Sequence, residues 1–148
     1  MSAFAKQIRP YVQAELVAAF EAERQGDQLL AFWRLERAHV LSQGATIEHL
    51  RVHGHMLRFA LRQGFVREAL GQIPRLLLAA PLSLVGLIPT GNTGGSNVSG
   101  LRPMPVPADL QQIIDGERAR LPGNPFRVCT VSRRNRAQST GDPGRRLF

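Results

Sequence analysis

The stretch LERAHVLSQGATIEHLRVHGHML, residues 35–57, contains all four histidines of this 148-residue chain. Glu36 and His39 are three residues apart, and His49 and His53 are four residues apart. At these spacings the two members of each pair lie on the same face if their segment is helical. The stretch therefore predicts two helices, each with metal-ligating side-chain types on one face.

The tripeptide Ser-Gln-Gly at residues 42–44 separates the two pairs. A turn there would fold the helices into an antiparallel hairpin and bring one carboxylate and three imidazoles together. We predict that His39, His49 and His53 converge on one transition metal ion, with Glu36 as the fourth ligand. Imidazole combined with a carboxylate suits Zn, Cu, Ni or Fe(II).

Other interpretations of these residues stay open. The Glu-x-x-His spacing of Glu36 and His39 also occurs in di-metal proteins, but those proteins use two such pairs and this chain has one. The histidines could instead be structural, hydrogen-bonded across the hairpin without any ion. His55 would point about 200° away from His53 on a helix, so it is not expected in the site.

Apolar periodicity around this stretch predicts four helices in two antiparallel hairpins over residues 10–79. Pro10 is expected in the first turn of the first helix, and Gly26 and Gly64 are expected at equivalent turns. The second, third and fourth helices are predicted over residues 27–41, 46–62 and 66–78.

The same periodicity predicts which faces are buried. The third helix is expected to bury Ile47, Leu50, Gly54, Leu57 and Leu61, with His49 and His53 on the flank. The fourth helix is expected to bury Leu70, Ile73 and Leu77, with a kink at Pro74.

An internal repeat supports the two hairpins. Arg-Gln-Gly at residues 24–26 recurs at residues 62–64, an offset of 38 residues, and Ala31 recurs as Ala69. The pattern resembles tetratricopeptide helix pairs, although two units are fewer than a solenoid usually needs. We therefore expect an all-α, compact bundle with tetratricopeptide-like pairing.

Residues 81–107 have a different composition, with many prolines and glycines and no helical stripe. The apolar residues Leu82, Leu84, Val85, Leu87 and Ile88 suggest that this loop packs over the bundle. Its Gly-Asn-Thr-Gly-Gly segment, residues 91–95, lacks the lysine of a phosphate-binding loop, so glycine turns at positive φ are expected there. A short helix over residues 108–120 completes a single domain, residues 1–120.

The net charge of +8 is concentrated in the last residues of the chain. Residues 118–148 contain eight arginines and one acid, whereas residues 1–117 contain 11 basic and 10 acidic residues. Residues 121–148 are therefore predicted to be a flexible basic tail. Weak contact with nucleic acid through this tail is conceivable, but no basic face or stacking aromatics support a nucleic-acid function.

Neither a secretory signal nor an uninterrupted apolar run of membrane-spanning length is visible, so a cytoplasmic protein without membrane contact is expected. The single cysteine, Cys129, cannot form an internal disulfide or a thiolate cluster.

The segments FAKQIRPYVQAEL, RLERAHVLSQ, HLRVHGHMLRFALRQ, IPTGNTGGSNVS and LRPMPVPADL together resemble the bacterial family catalogued as domain of unknown function 3703. The resemblance covers residues 4 to about 118. It implies a small, cytosolic, helical protein without established activity, from a family whose genes sometimes lie beside metal-resistance genes.

Two functions follow as hypotheses, and no catalytic arrangement supports an enzyme. The first is a metal-binding accessory protein in ion handling. The second is an interaction module, without metal, that holds a protein partner in a tetratricopeptide-like groove.

Overall fold

The computed structural model describes residues 1–84 and 89–123, with the backbone alone for residues 79–84. Five helices are present: α1 (Ala3–Arg24), α2 (Gln28–Ser42), α3 (Thr46–Gln63), α4 (Val66–Leu84) and α5 (Ala108–Ala119). No described residue lies in a strand, which confirms the all-α prediction. None of the described helices combines the length and apolarity that crossing a membrane requires.

The helices form the two predicted hairpins, because α1 packs on α2 and α3 packs on α4. Both turns contain the predicted glycine, with φ of 79° at Gly26 and 71° at Gly64. Such left-handed conformations cost glycine little and strain other residues. The Asp27 side chain then caps α2 by accepting a hydrogen bond from the Leu30 amide at 2.9 Å.

Helix α2 also packs on α3 and thereby joins the hairpins, while α5 packs on α1 and α2. Among the described helices, α4 contacts α3 alone. The apolar core lies between α1, α2, α3 and α5 and includes Ile8, Val12, Leu16, Leu35, Leu41, Val52, Met56, Phe59 and Leu110. The tetratricopeptide-like arrangement of the hairpins stays a prediction.

Two predicted helix ends were wrong. Helix α1 begins at Ala3, because the Ser2 hydroxyl caps it by accepting from the Ala5 amide at 3.1 Å, and Pro10 lies well inside the helix. Helix α4 continues beyond residue 78 to Leu84, so part of the predicted Gly/Pro-rich loop is helical.

The predicted buried faces of α3 and α4 were also wrong. Ile47 and Leu61 are exposed, whereas His49 and His53 are buried with Val52 and Met56. On α4, the predicted core residues Leu70, Ile73 and Leu77 are exposed, whereas Ala69 and Gln72 are buried. The second hairpin therefore directs polar side chains inward.

The described part of the loop explains this inversion. Asn92, Gly94 and Gly95 are buried between α2 and α4, where their backbone oxygens contact His39, Gln72 and Arg75, and Gly91 and Gly94 adopt the predicted positive φ. Loop backbone groups supply hydrogen-bond partners to the inward polar side chains, as buried polar groups require. The predicted packing of the apolar loop residues falls outside the described part of the chain, which excludes the side chains of Leu82 and Leu84 and residues 85–88. Most of the predicted tail, residues 124–148, also lies outside the described residues.

Candidate metal centre

Three histidines converge between α2 and α3. His39 lies near the end of α2, and the short turn to α3 places His49 and His53 opposite it. The Nε2 atom of His39 lies 2.8 Å from Nε2 of His49 and 3.2 Å from Nε2 of His53. One ligand atom from each ring lies within 4.8 Å of the other two. The predicted convergence is confirmed, and we call this cluster the histidine triad.

The loop fixes the tautomer of His39. Its Nδ1 lies 2.8 Å from the backbone oxygen of Asn92, which can only accept. Nδ1 therefore carries the proton, and Nε2 presents a lone pair. Asn92 is itself held, since its side-chain amide donates to the carbonyls of Ser99 and Arg102 and its Oδ1 accepts from the Gly94 amide.

Helix α4 fixes the tautomer of His53 in the same way. Its Nδ1 lies 2.7 Å from Oε1 of Gln72. The Gln72 Nε2 group donates to the Glu68 carboxylate at 2.6 Å and to the Gly94 carbonyl at 2.8 Å, both of which are acceptors. The amide orientation is thereby determined, so His53 donates through Nδ1 and its Nε2 also presents a lone pair.

Two lone pairs therefore face each other across 3.2 Å, on His39 and His53. A proton on Nε2 of His49 can satisfy the lone pair of His39, but none of the three rings then offers a second proton for His53. His49 Nδ1 is buried and has no hydrogen-bond partner among the described residues. With the His49 proton on Nδ1 instead, all three Nε2 atoms present lone pairs, and a cation between them would be ligated by all three.

The surroundings keep all three imidazoles neutral. Burial, together with the neighbouring imidazoles, holds the pKa of His39 well below its usual range. Burial lowers the pKa of His49 to about 3. It also lowers the pKa of His53, against the opposing effect of the Gln72 hydrogen bond. Neutral imidazoles are the form that ligates metals.

Gly94 forms one wall of the site. A Cβ atom there would lie 2.6–2.7 Å from three atoms of the His39 ring, and the residue has φ of 79°. Both the space and the backbone conformation therefore require glycine. The close approach fixes the position of the His39 ring.

A cavity of about 420 Å³ adjoins the histidine triad. All three histidines line it, together with Gln43 and Arg75 and with the apolar residues Pro74, Leu78, Pro89 and Leu101. An ion held by the three histidines would therefore have a position accessible to a small molecule.

Glu36, the predicted fourth ligand, does not belong to the group of converging ligand atoms. Its side chain forms a hydrogen bond with Thr93, and Oε1 would lie 3.2 Å from a Cβ atom on Gly95. Burial raises the pKa of Glu36, against the effect of the Thr93 hydrogen bond. Ligation by Glu36 stays a prediction.

His55 lines a different cavity, between α1 and α3, as its spacing predicted. Sequence reasoning missed Gln72 and Asn92, which orient the triad, and Arg75, which lines the cavity. The only available signals were an asparagine between loop glycines and a polar residue one turn after Glu68 on α4.

The family model described as "Protein of unknown function (DUF3703)" matches residues 6–114. The chain belongs to this family. The matched region of this DUF3703 protein contains the whole histidine triad with Gln72, Arg75 and Asn92. Neither the search of curated proteins nor the search of solved structures found a match.

Proposed function

We propose that this DUF3703 protein binds one divalent transition metal ion through the Nε2 atoms of His39, His49 and His53. The observation that carries the proposal is the pair of tautomers fixed by Asn92 and Gln72. Each directs a buried lone pair into the same small space. Metal-bound histidines commonly donate their other ring nitrogen to a carbonyl or carboxylate, and these two do so.

The distances suit such an ion. Bonds of 2.0–2.1 Å to a tetrahedral ion place ligating nitrogens about 3.3 Å apart. The observed separations from Nε2 of His39 are 2.8 and 3.2 Å, and one ligand nitrogen from each ring lies within 4.8 Å of the others. Small side-chain rotations are therefore sufficient to bind an ion.

Three imidazoles without a thiolate favour Zn, Cu, Ni or Fe(II) over metal–sulfur chemistry. We propose that the protein acts in metal handling, as an accessory and not as an enzyme.

Metal analysis of protein purified without a histidine tag tests this proposal. We expect one ion per chain in the wild type and none in the His49→Ala, His53→Ala double variant. His55→Ala is the matched control, because it removes the remaining histidine of the same helix and should keep the ion. Equal metal content in the wild type and the double variant would overturn the proposal.

An interaction module without metal is the second candidate. The observation that favours it is the apolar face of α4, where Leu70, Ile73 and Leu77 are 61%, 47% and 73% exposed. Contiguous exposed apolar surface is typical of interaction sites. Under this hypothesis Leu70→Glu with Leu77→Glu abolishes partner capture, while a chelator has no effect on the melting temperature. A chelator-dependent melting temperature would argue against it.

A further inference from the structure

Arg75 is a half-buried cation that forms no ion pair among the described residues. Its guanidinium donates to three backbone carbonyls, those of Gly71 at 2.9 Å, Gly95 at 3.0 Å and Val98 at 2.7 Å. Among the described residues, no carboxylate oxygen forms an ion pair with it. Its Nε atom is buried and has no hydrogen-bond partner within the described part of the chain. Partial burial lowers the pKa of Arg75, and the Glu68 carboxylate opposes this effect only through space, so the guanidinium can accept a further anionic partner.

Arg75 lines the same cavity as the histidine triad. An ion bound by three neutral imidazoles keeps its double positive charge, and the guanidinium adds a third. Buried charges of one sign are costly unless an opposite charge compensates them. Glu68 does not fill this role by contact, because its oxygens are engaged by the Gln72 side chain and the Ser96 amide.

The rest of the cavity indicates the other part of the ligand. Pro74, Leu78, Pro89 and Leu101 contribute apolar walls. The volume of about 420 Å³ lies in the range of pockets for small organic molecules. A small inorganic anion would leave these walls without a partner.

We infer that the cavity binds a small monocarboxylate with an apolar body. One carboxylate oxygen ligates the metal ion, the other accepts from the Arg75 guanidinium, and the apolar body contacts the proline and leucine walls. This inference rests on the proposed metal site, since the ion supplies half of the carboxylate recognition.

Cobalt(II)-loaded protein tests the inference, because the visible bands of cobalt(II) respond to a change in its ligands. We expect benzoate to shift these bands with saturation. Benzamide has the same shape without the charge, and acetate has the charge without the apolar body. Both should bind at least about tenfold more weakly than benzoate. Equal binding of acetate would overturn the assignment of an apolar ligand.

Arg75→Gln should weaken benzoate binding at least about tenfold, the usual effect of losing a charge-assisted hydrogen bond. Arg67→Gln is the matched control, because Arg67 is an exposed arginine on the same helix. It should leave benzoate binding unchanged. Equal benzoate affinity in the Arg75 variant and the wild type would overturn the inference.

Arg75 also holds the loop, so its variant could lose the metal. Gly100→Val provides a second test that leaves these hydrogen bonds intact. A Cβ atom on Gly100 would meet only Nε of Arg75, at 3.9 Å, and both residues line the cavity. The added side chain should weaken benzoate binding at least about tenfold without changing cobalt content.

The outcomes separate the two proposals. If the protein shows no visible cobalt(II) bands that require the histidine triad, the metal site and the carboxylate site are both overturned. Cobalt bands that depend on the triad but do not respond to benzoate would overturn the carboxylate site alone.

Discussion

The two hairpins occupy equivalent positions in the internal repeat but bury different kinds of side chain. In the first, α1 and α2 bury Val12, Leu16, Leu35 and Leu41. In the second, α3 and α4 bury His49, His53 and Gln72 beside the core residues Val52 and Met56, and expose several leucines and isoleucines. The first hairpin lies mostly in the apolar core and adds His39 to the triad, whereas the second contributes most of the polar site.

The cover on each hairpin accounts for this difference. Helix α5 places Leu110 and Ile114 against the first hairpin, so apolar residues are favourable there. The loop at residues 91–95 covers α4 and the adjoining part of α2 with backbone groups that need hydrogen-bond partners. An apolar face turned toward this loop would leave these groups unsatisfied, so polar side chains occupy it.

The largest expected effect on stability comes from truncating a residue of the first hairpin, compared with the residue 38 positions later in the second. Leu35 on α2 is 4% exposed, and Ile73, 38 residues later on α4, is 47% exposed. Leu35→Ala should lower the free energy of unfolding by about 2–5 kcal/mol, because it leaves a core cavity. Ile73→Ala should lower the free energy of unfolding by less than about 1 kcal/mol, since half of the Ile73 surface already contacts water. Urea denaturation measures both, and equal losses would show that the hairpins are packed alike.

The local features of the molecule could be predicted from the sequence. Spacing along a helix and a short turn sufficed to bring His39, His49 and His53 together, and Gly26 and Gly64 marked both hairpin turns. These features depend on residues that are close in the chain, so helical geometry determines them.

The buried faces of α3 and α4 could not be predicted, because apolar periodicity assumes an apolar cover. That cover is a loop whose partner residues are distant in sequence. His39 and Asn92, for example, are 53 residues apart. Without that pairing, Gln72 appears to be an ordinary surface residue and Leu70 a core residue. Tertiary contacts thus reversed the pattern.

The second expected effect is a pH dependence confined to the polar site. In metal-free protein, His49 has a pKa of about 3 when folded, against an ordinary value of 6.5. Between these values the unfolded state binds more protons, so stability falls as the pH falls below about 6.5. At pH 5 the low pKa of His49 reduces the free energy of unfolding by about 2 kcal/mol.

Urea denaturation at pH 7 and pH 5 in the presence of a chelator measures this contribution. Between pH 7 and pH 5, the free energy of unfolding of His49→Gln should fall by about 2 kcal/mol less than that of the wild type. Carboxylates titrate mainly below this window and affect both proteins alike. Identical pH dependence in the two proteins would show that folding leaves the pKa of His49 near its unfolded value.

The third expected effect concerns the orientation of the triad. Gln72→Met removes the acceptor for Nδ1 of His53 and should weaken metal binding about 10–100-fold, as is typical for residues that orient a ligand. The repeat-equivalent change in the first hairpin is Arg34→Met. It removes the ion pair with Glu15, at 3.1 Å, and should leave metal affinity unchanged. Competition with a chromophoric chelator measures both affinities. A similar loss in both variants would assign the effect to general destabilisation.

The smallest expected effect on stability comes from one of the polar contacts between the hairpins. Glu23 on α1 accepts from both Nε and Nη2 of Arg62 on α3, at 2.9 and 2.7 Å, and from the side chain of Gln63 at 2.9 Å. The Arg62 hydrogen bond is the main cause that lowers the pKa of Glu23. Arg62 is half exposed, so water and salt screen the pair.

Glu23→Gln should therefore cost below about 1 kcal/mol of unfolding free energy at neutral pH, and less at 1 M salt. Because the folded pKa of Glu23 is lowered, the wild-type advantage exists above the unfolded value and disappears as the pH falls through the folded one. Denaturation at low and high salt measures the difference. A loss of several kcal/mol that salt does not change would mean that this contact, and not the packing of α2 on α3, holds the two hairpins together. Metal affinity should stay unchanged in this variant, because Glu23 lies at the end of the hairpins where Gly26 and Gly64 turn, away from the histidine triad.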